Sequence, residues 1–317
     1  MALRSALGIM LASIAGCSGI AVVDAPDTTS SSTSTDTSTT TDTSTTTTTT
    51  TSTTTSTSTD PDEWTTLIDG TWSLTAGTES YWCASKTLQE DTYIKAFRAK
   101  APPGTHHTLL LRGGGGPDGE TSCGPTLSAD MYHASGVGTD DLVFPPGVAV
   151  KIPAGTQIML NLHLFNTTAN PISGVSGTLV KKASPAEVQQ EAEMILAGPT
   201  SISVPPNGSQ VVEGKCAFPG TSTIATVWPH MHQYGTHMKV TYDGPSGSKV
   251  LHDGDYTFSD QKNYPIQPLT VAAGEIIRVQ CTYQNPTSQT VNWGDSSKAE
   301  MCFAGLYRYP ALGPACQ

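Results

Sequence analysis

The segment PAGTQIMLNLHLFN, residues 153–166, decides the fold. Ile158, Leu160, Leu162 and Leu164 alternate with Asn161, His163 and Phe165. A period of two is the signature of a strand with one apolar face, and the Pro-Ala-Gly entry reads as the turn that starts it. The segment VAAGEIIRVQCTYQN, residues 271–285, repeats the shape. Gly155 answers to Gly274, Leu160 to Val279, Asn161 to Gln280 and Asn166 to Asn285. Such an echo at domain distance predicts two related units. Turn signals fill the intervals: PPG at 102–104 and 145–147, PPNG at 205–208, DG at 243–244. The expectation is an all-β protein of two tandem antiparallel β-sandwich, jelly-roll-like domains. SPAEVQQEAEMI, with Ser184, Glu187 and Pro185 in a capping-box arrangement, predicts a short helix between them. The boundary is therefore set there, giving domains over 61–184 and 185–317.

The N-terminal residues are of another kind. MALRSALGIMLASIAGCSGI has one Arg, a short apolar run and small residues before Cys17. It predicts a secretory signal over 1–17, too short to span a bilayer. Ile14-Ala15-Gly16-Cys17 resembles a lipobox, so Cys17 is expected to be lipidated and to hold the protein on the bacterial cell envelope by that anchor alone. The outer membrane or cell surface is favoured over the inner membrane. Residues 18–60, nearly all Ser, Thr and Asp from Thr28 onward, cannot bury an apolar face and predict a disordered tether. A net charge of −11, pI near 5.0 and no basic run argue against nucleic acid as a partner. A monomer acting on a small molecule is expected.

Seven cysteines occur. Without Cys17 an even number remains, which in an exported chain predicts disulfides, and the lack of a CxxC pair argues against a thiolate zinc site.

Five of the eight histidines fall in three strand-like contexts: HHTLLLR with His106 and His107, NLHLF with His163, and WPHMHQYG with His230 and His232. In a strand, residues i and i+2 share a face, so His-x-His can offer two imidazoles to one ion. Adjacent histidines point to opposite faces. His106 and His107 can share an ion only if the strand start is distorted, or if they use different ring nitrogens. A lone strand histidine is most often a surface or hydrogen-bonded core residue; it is the pairing that favours metal. His133, His237 and His252, in polar or turn contexts, read as ordinary, and Gly113–Gly116 as a flexible connection rather than a phosphate loop.

The order HHTLLL, then a strand LxH, then HMHQYG, then Glu300-Met301-Cys302 resembles the copper type II, ascorbate-dependent monooxygenases. That family includes peptidylglycine α-hydroxylating and dopamine β-monooxygenases, and the resemblance runs from about Tyr81 to Cys316. It implies two copper ions per chain, one on His106, His107 and His163 and one on His230, His232 and Met301. The second trio is implied to be the catalytic set. Ascorbate, or another one-electron donor, would be the reductant and O2 the cosubstrate, for hydroxylation of a C–H bond in a small organic molecule. A thioether with two imidazoles suits Cu(I), which sets zinc second. Tyr81 and Asn161 sit where relatives carry polar groups near the first copper. The resemblance also implies the bridges Cys83–Cys123, Cys281–Cys302 and Cys216–Cys316. The chain departs from the peptide-hydroxylating members at Trp228 and Gly305, where those carry carboxylate-binding residues. A glycine-extended peptide is thereby disfavoured, and Trp228 points weakly to an aromatic or apolar compound. The alternative function is a surface copper-binding protein for scavenging or storage, without turnover.

Overall fold

The computed structural model describes residues 63–126, 130–136 and 138–313. Cys17, the tether and Cys316 lie outside them. Among the described residues strands predominate and no α-helix occurs. The helix expected after Ser184 is a single 3-10 turn, Pro185–Glu187, in which the Ser184 N–H donates to the Glu187 carboxylate at 2.6 Å. The chain then enters the strand Gln190–Ala197, whose residues Met194 to Ala197 are all buried. The start signal is real, but the apolar run behind it has strand rather than helix burial.

The two echoing segments form the strands Gln157–Phe165 and Ile276–Asn285. Each follows a glycine in the left-handed region, Gly155 at φ +77° and Gly274 at φ +81°, where a β-carbon would be strained. Each ends in the same asparagine device. Asn166 Oδ1 accepts from the N–H and hydroxyl of Thr168, while its amide donates to the carbonyls of Thr75 and Asn170. Asn285 repeats this with Thr287, Val204, Pro205 and Gln289. Both side chains are fully buried and close their own turns. The echo in sequence is an echo in structure.

A five-stranded sheet of Gly119–Ser122, Glu79–Thr87, Gln157–Phe165, Thr105–Arg112 and Met131–Gly136 packs on the first half's other strands. A four-stranded sheet of Gly208–Ala217, Ile276–Asn285, Gly235–Gly244 and Gly247–Asp255 does the same in the second half. What faces them is one nine-stranded sheet that runs through both halves. The join is a parallel pairing of Val148–Val150 with Gln190–Ala192. The boundary near Ser184 therefore divides the chain but not the sheet, and the described residues fall in one compact unit. Of the two apolar cores, the one built around Ile94, Phe97, Leu110 and Leu160 also takes in Trp228, Met301 and Tyr307 from the second half. The other gathers Ile224, Val227, Val240, Val279 and Tyr283. At roughly 1.5–3 kcal/mol for each large apolar side chain buried, these cores are what hold the halves in register.

Candidate metal centre

His106 and His107 open the strand Thr105–Arg112, which pairs with Gln157–Phe165 so that His107 lies opposite His163. The register slips between Thr105 and His107. This bulge supplies the distorted start that adjacent histidines need in order to turn to one side. Their Nδ1 atoms come to 3.2 Å of each other. An imidazole nitrogen reaches a first-row ion at about 2 Å, so two of them around one ion stand roughly 3 Å apart. Ligand atoms of His106, His107 and His163 all lie within 4.8 Å of one another. His163 Nε2 bonds the Glu79 carboxylate at 2.6 Å, whereas its Nδ1 is buried with no partner. An unpartnered buried lone pair is costly unless something fills it. Its position beside two other imidazoles fits a metal ion.

Tyr81 pairs with His163 across the sheet and stacks on its ring, centroids 4.5 Å apart and planes 4° from parallel. Burial, then Glu79 and Asp295, pushes its phenol up to about 12. Asn161 takes a different role. Its amide donates to the Gly124 carbonyl at 3.0 Å and lies against Cys83 Sγ, so it braces the Cys83–Cys123 disulfide rather than a histidine.

The second trio stands at the end of the strand Ser222–His230 and just ahead of Phe303–Tyr309, two neighbours in the nine-stranded sheet. His230 Nδ1 meets Gln261 Oε1 at 2.8 Å, and His232 Nδ1 meets the Ala299 carbonyl at 3.1 Å. Each contact assigns the proton to Nδ1 and leaves Nε2 as the donor. Glu300, fully buried, accepts from the N–H of His232 at 2.9 Å and of Tyr234 at 2.6 Å. It thereby staples the HxH turn to the segment bearing Met301. Burial raises its carboxyl to about 7, against the backbone N–H groups of His232, Tyr234, Met301 and Gly235 that pull it down. The Tyr283 hydroxyl donates to the Met301 carbonyl at 2.6 Å, and Cys302 is bridged to Cys281.

The two trios face one another. His107, His163, His230, His232 and Met301 line one pocket with Tyr81 and Phe258, and the His107 and His230 rings are 6.3 Å apart. Sites expected on separate domains thus share a cavity, in two halves that one continuous sheet joins. Phe258 lies among them, 4.2 Å from the His106 ring centroid. Its loop is pinned to the first half by the Gly136 N–H, which donates to the Gln261 carbonyl at 3.1 Å, and to its own half by Trp228 Nε1, which donates to the same carbonyl at 3.3 Å. A β-carbon on Gly136 would come within 2.9 Å of Gln261, so only glycine permits that approach. Burial lowers all five imidazoles, to about 4 for His106 and His232 and about 3 for His230. His163 is lowered and His107 lies well below its ordinary value. Neutral imidazoles at neutral pH are the form that binds metal.

Residues 190–316 match the copper type II ascorbate-dependent monooxygenase C-terminal domain. The matched span covers His230, His232 and Met301, and the three-histidine cluster lies ahead of it. Members of this family depend on copper and ascorbate and use O2 as cosubstrate. Two solved structures, titled as infectious bursal disease virus of the Gx and Gt strains, are similar at 11% identity. They cover 78% and 80% of this chain and 75% and 79% of theirs, at TM-scores of 0.20 and 0.19. Such scores carry no argument.

Against these positions several sequence readings need correction. Trp228 does not offer its face to the pocket. It is fully buried behind His230, stacked on that ring at 4.8 Å, so it says nothing about an aromatic substrate. His133 is neither polar nor in a turn: it is buried in the strand Met131–Gly136, stacked on Phe97 at 4.6 Å and bonded to the Tyr307 hydroxyl at 3.0 Å. His237 pairs with Asp253 and His252 lies against Tyr264, both away from the pocket. The Gly113–Gly116 run is tied down by Gln157, which accepts from the Gly115 N–H and donates to the Gly116 carbonyl. Cys216 is disulfide-bonded, but its expected partner Cys316 lies outside the described residues. Glu79, Phe258 and Gln261 went unread in the sequence because nothing local marks them; Glu300 was legible only as part of its Glu-Met-Cys context.

Proposed function

We propose that this protein is a two-copper monooxygenase that hydroxylates a C–H bond of a small organic substrate, with O2 and ascorbate or another one-electron donor. One observation carries the reading: two donor sets of unlike composition meet at a single pocket, His107 and His163 of the three-histidine cluster lining it opposite His230, His232 and Met301. A scavenger needs no such matched pair. Copper, when bound, supplies the one-electron redox chemistry and the activation of O2.

The chain's own residues do the rest. His106, His107 and His163 offer a cluster of nitrogen donors, two of them with Nδ1 atoms only 3.2 Å apart. His230 and His232 offer Nε2, each with its proton fixed on Nδ1 by Gln261 or Ala299. Met301 adds the soft donor that favours the reduced ion. Glu300 holds that trio together, and Tyr81 and Phe258 line the pocket as aromatic walls. We further propose that Cys17 anchors the protein to the cell envelope through lipid.

The test begins with metal-free protein loaded with Cu(II) and dialysed. Two coppers per chain are expected, with ascorbate-dependent oxygen uptake and label from 18O2 in the product of at least one compound in a broad panel. Two tightly bound Cu(I) with no turnover on any compound would sink the monooxygenase reading and favour copper storage.

A further inference from the structure

We infer that Glu79 is a positioning residue that sets the donor strength of His163 and makes it answerable to the second half of the molecule through Ser297. The inference rests on the copper reading for its consequence, though not for its geometry.

Glu79 begins the strand Glu79–Thr87, two residues before Tyr81. A single oxygen, Oε1, receives two donors: His163 Nε2 at 2.6 Å and the Ser297 hydroxyl at 3.1 Å. The first contact fixes His163 as the Nε2–H tautomer, which is what leaves its buried Nδ1 free toward His106 and His107. Tyr81, stacked on the same ring, holds its plane. A carboxylate drawing on the far N–H makes the imidazole a stronger donor, and a stronger nitrogen donor favours the oxidised ion over the reduced one.

The second contact crosses the molecule. Ser297 lies in the segment that runs to Glu300 and Met301, and it lines the same pocket. Its hydroxyl competes with His163 for one oxygen. When Ser297 donates, the carboxylate pulls less on the imidazole. When that segment shifts, it pulls more. A displacement around Met301 is thereby read at the three-histidine set with no change in its ligands.

Two substitutions separate this from a merely structural role. Glu79→Gln keeps an oxygen for His163 and removes the charge. Ser297→Ala removes only the competing donor. In a His230→Ala background, where the three-histidine set alone holds copper, Glu79→Gln should weaken Cu(II) binding tenfold to a hundredfold and spare Cu(I). That raises the midpoint potential by about 59 to 118 mV, at about 59 mV per tenfold for one electron. Ser297→Ala should move the potential the opposite way. Nitrogen NMR of metal-free wild type should show His163 protonated at Nε2 only, and thermal melting should confirm that both variants fold. An unmoved potential in Glu79→Gln, a shift of the same sign in both variants, or a metal-free His163 protonated at Nδ1 each overturns the inference. Wild type that binds no copper overturns the proposed function alone, since the tautomer is still measurable.

Discussion

Replacing Glu300 tests the architecture of the second donor set directly. Its carboxylate is fully buried and takes the N–H groups of His232 and Tyr234, at 2.9 and 2.6 Å. Glu300→Ala strands both donors where no water reaches them. Each unsatisfied buried donor costs about 1–3 kcal/mol, so the pair costs about 2–6 kcal/mol, with a cavity term added. That is a large share of the roughly 5–15 kcal/mol by which a domain is stable. Glu300→Gln keeps the shape, but its amide can accept from one N–H while turning an NH2 toward the other. It should cost about 1–3 kcal/mol.

The assay is urea unfolding at pH 8, above the value of about 7 to which burial raises this carboxyl. Copper titration should accompany it, with the second site weakened and the first nearly unchanged. If Glu300→Gln is as stable as wild type, the carboxyl is protonated in the fold and the anionic staple does not exist. If Glu300→Ala unfolds within about 1 kcal/mol of wild type, the two N–H groups have other partners and the reasoning fails.

Three further outcomes follow from the geometry. His163→Ala should reduce bound copper from two toward one, since His230 and His232 keep their own anchors in Gln261 and Ala299; loss of both ions together, measured by metal analysis, would mean one shared cluster. Metal-free protein should lose stability as pH falls, because His106, His133, His230 and His232 are held down to about 4 or 3 while the unfolded chain takes up protons near 6.5. The loss should run from about pH 6.5 to 3, with each such histidine adding about 1.4 kcal/mol per pH unit, and unfolding at pH 7 and pH 5 would show a flat profile if these rings were exposed. The double change Cys281→Ser with Cys302→Ser opens a loop closed across 21 residues, which should cost about 3 kcal/mol by unfolding and lower copper affinity at the adjoining Met301.

How much of this was legible follows from which residues are local in their effect. The alternation from Ile158 to Leu164 and its echo from Ile276 to Tyr283 are local, and they gave the strands. The histidine pairs are local too, and even the distortion at His106 could be anticipated, because adjacent side chains on an ideal strand cannot share an ion. Glu79 and Gln261 were not legible. Each acts on a histidine 84 or 31 residues away, and a Glu in ESYWC or a Gln in SDQKN carries no local mark. Trp228 misled for a related reason. Its position beside the HxH turn was read correctly, but strand alternation alone does not say which sheet covers a face, and here the first half's core does. The helix after Ser184 failed because capping residues announce a start and say nothing about length.

The continuous sheet bears on how the pocket can admit a substrate. Two sandwiches joined by a linker could rotate apart and separate the donor sets. Here that motion would break the parallel pairing of Val148–Val150 with Gln190–Ala192 and draw Trp228 and Tyr307 out of the first core, where both are fully buried. Exposing two large aromatic side chains costs several kcal/mol, at about 1.5–3 kcal/mol for a large apolar one. The loop that carries Phe258 and Gln261 is secured by hydrogen bonds: from Gly136, Thr139 and Trp228 to the Gln261 carbonyl, from Asn263 to the Ala134 carbonyl, and between His230 Nδ1 and Gln261 Oε1. Each contributes about 1 kcal/mol net. Displacement confined to the Phe258 end of this loop is the cheaper motion, and it moves Phe258 off His106 while leaving the nine-stranded sheet and the bond between Gln261 and His230 in place. Access and spacing are thus carried by different parts of the fold, so that the pocket can open without the donor sets losing their register.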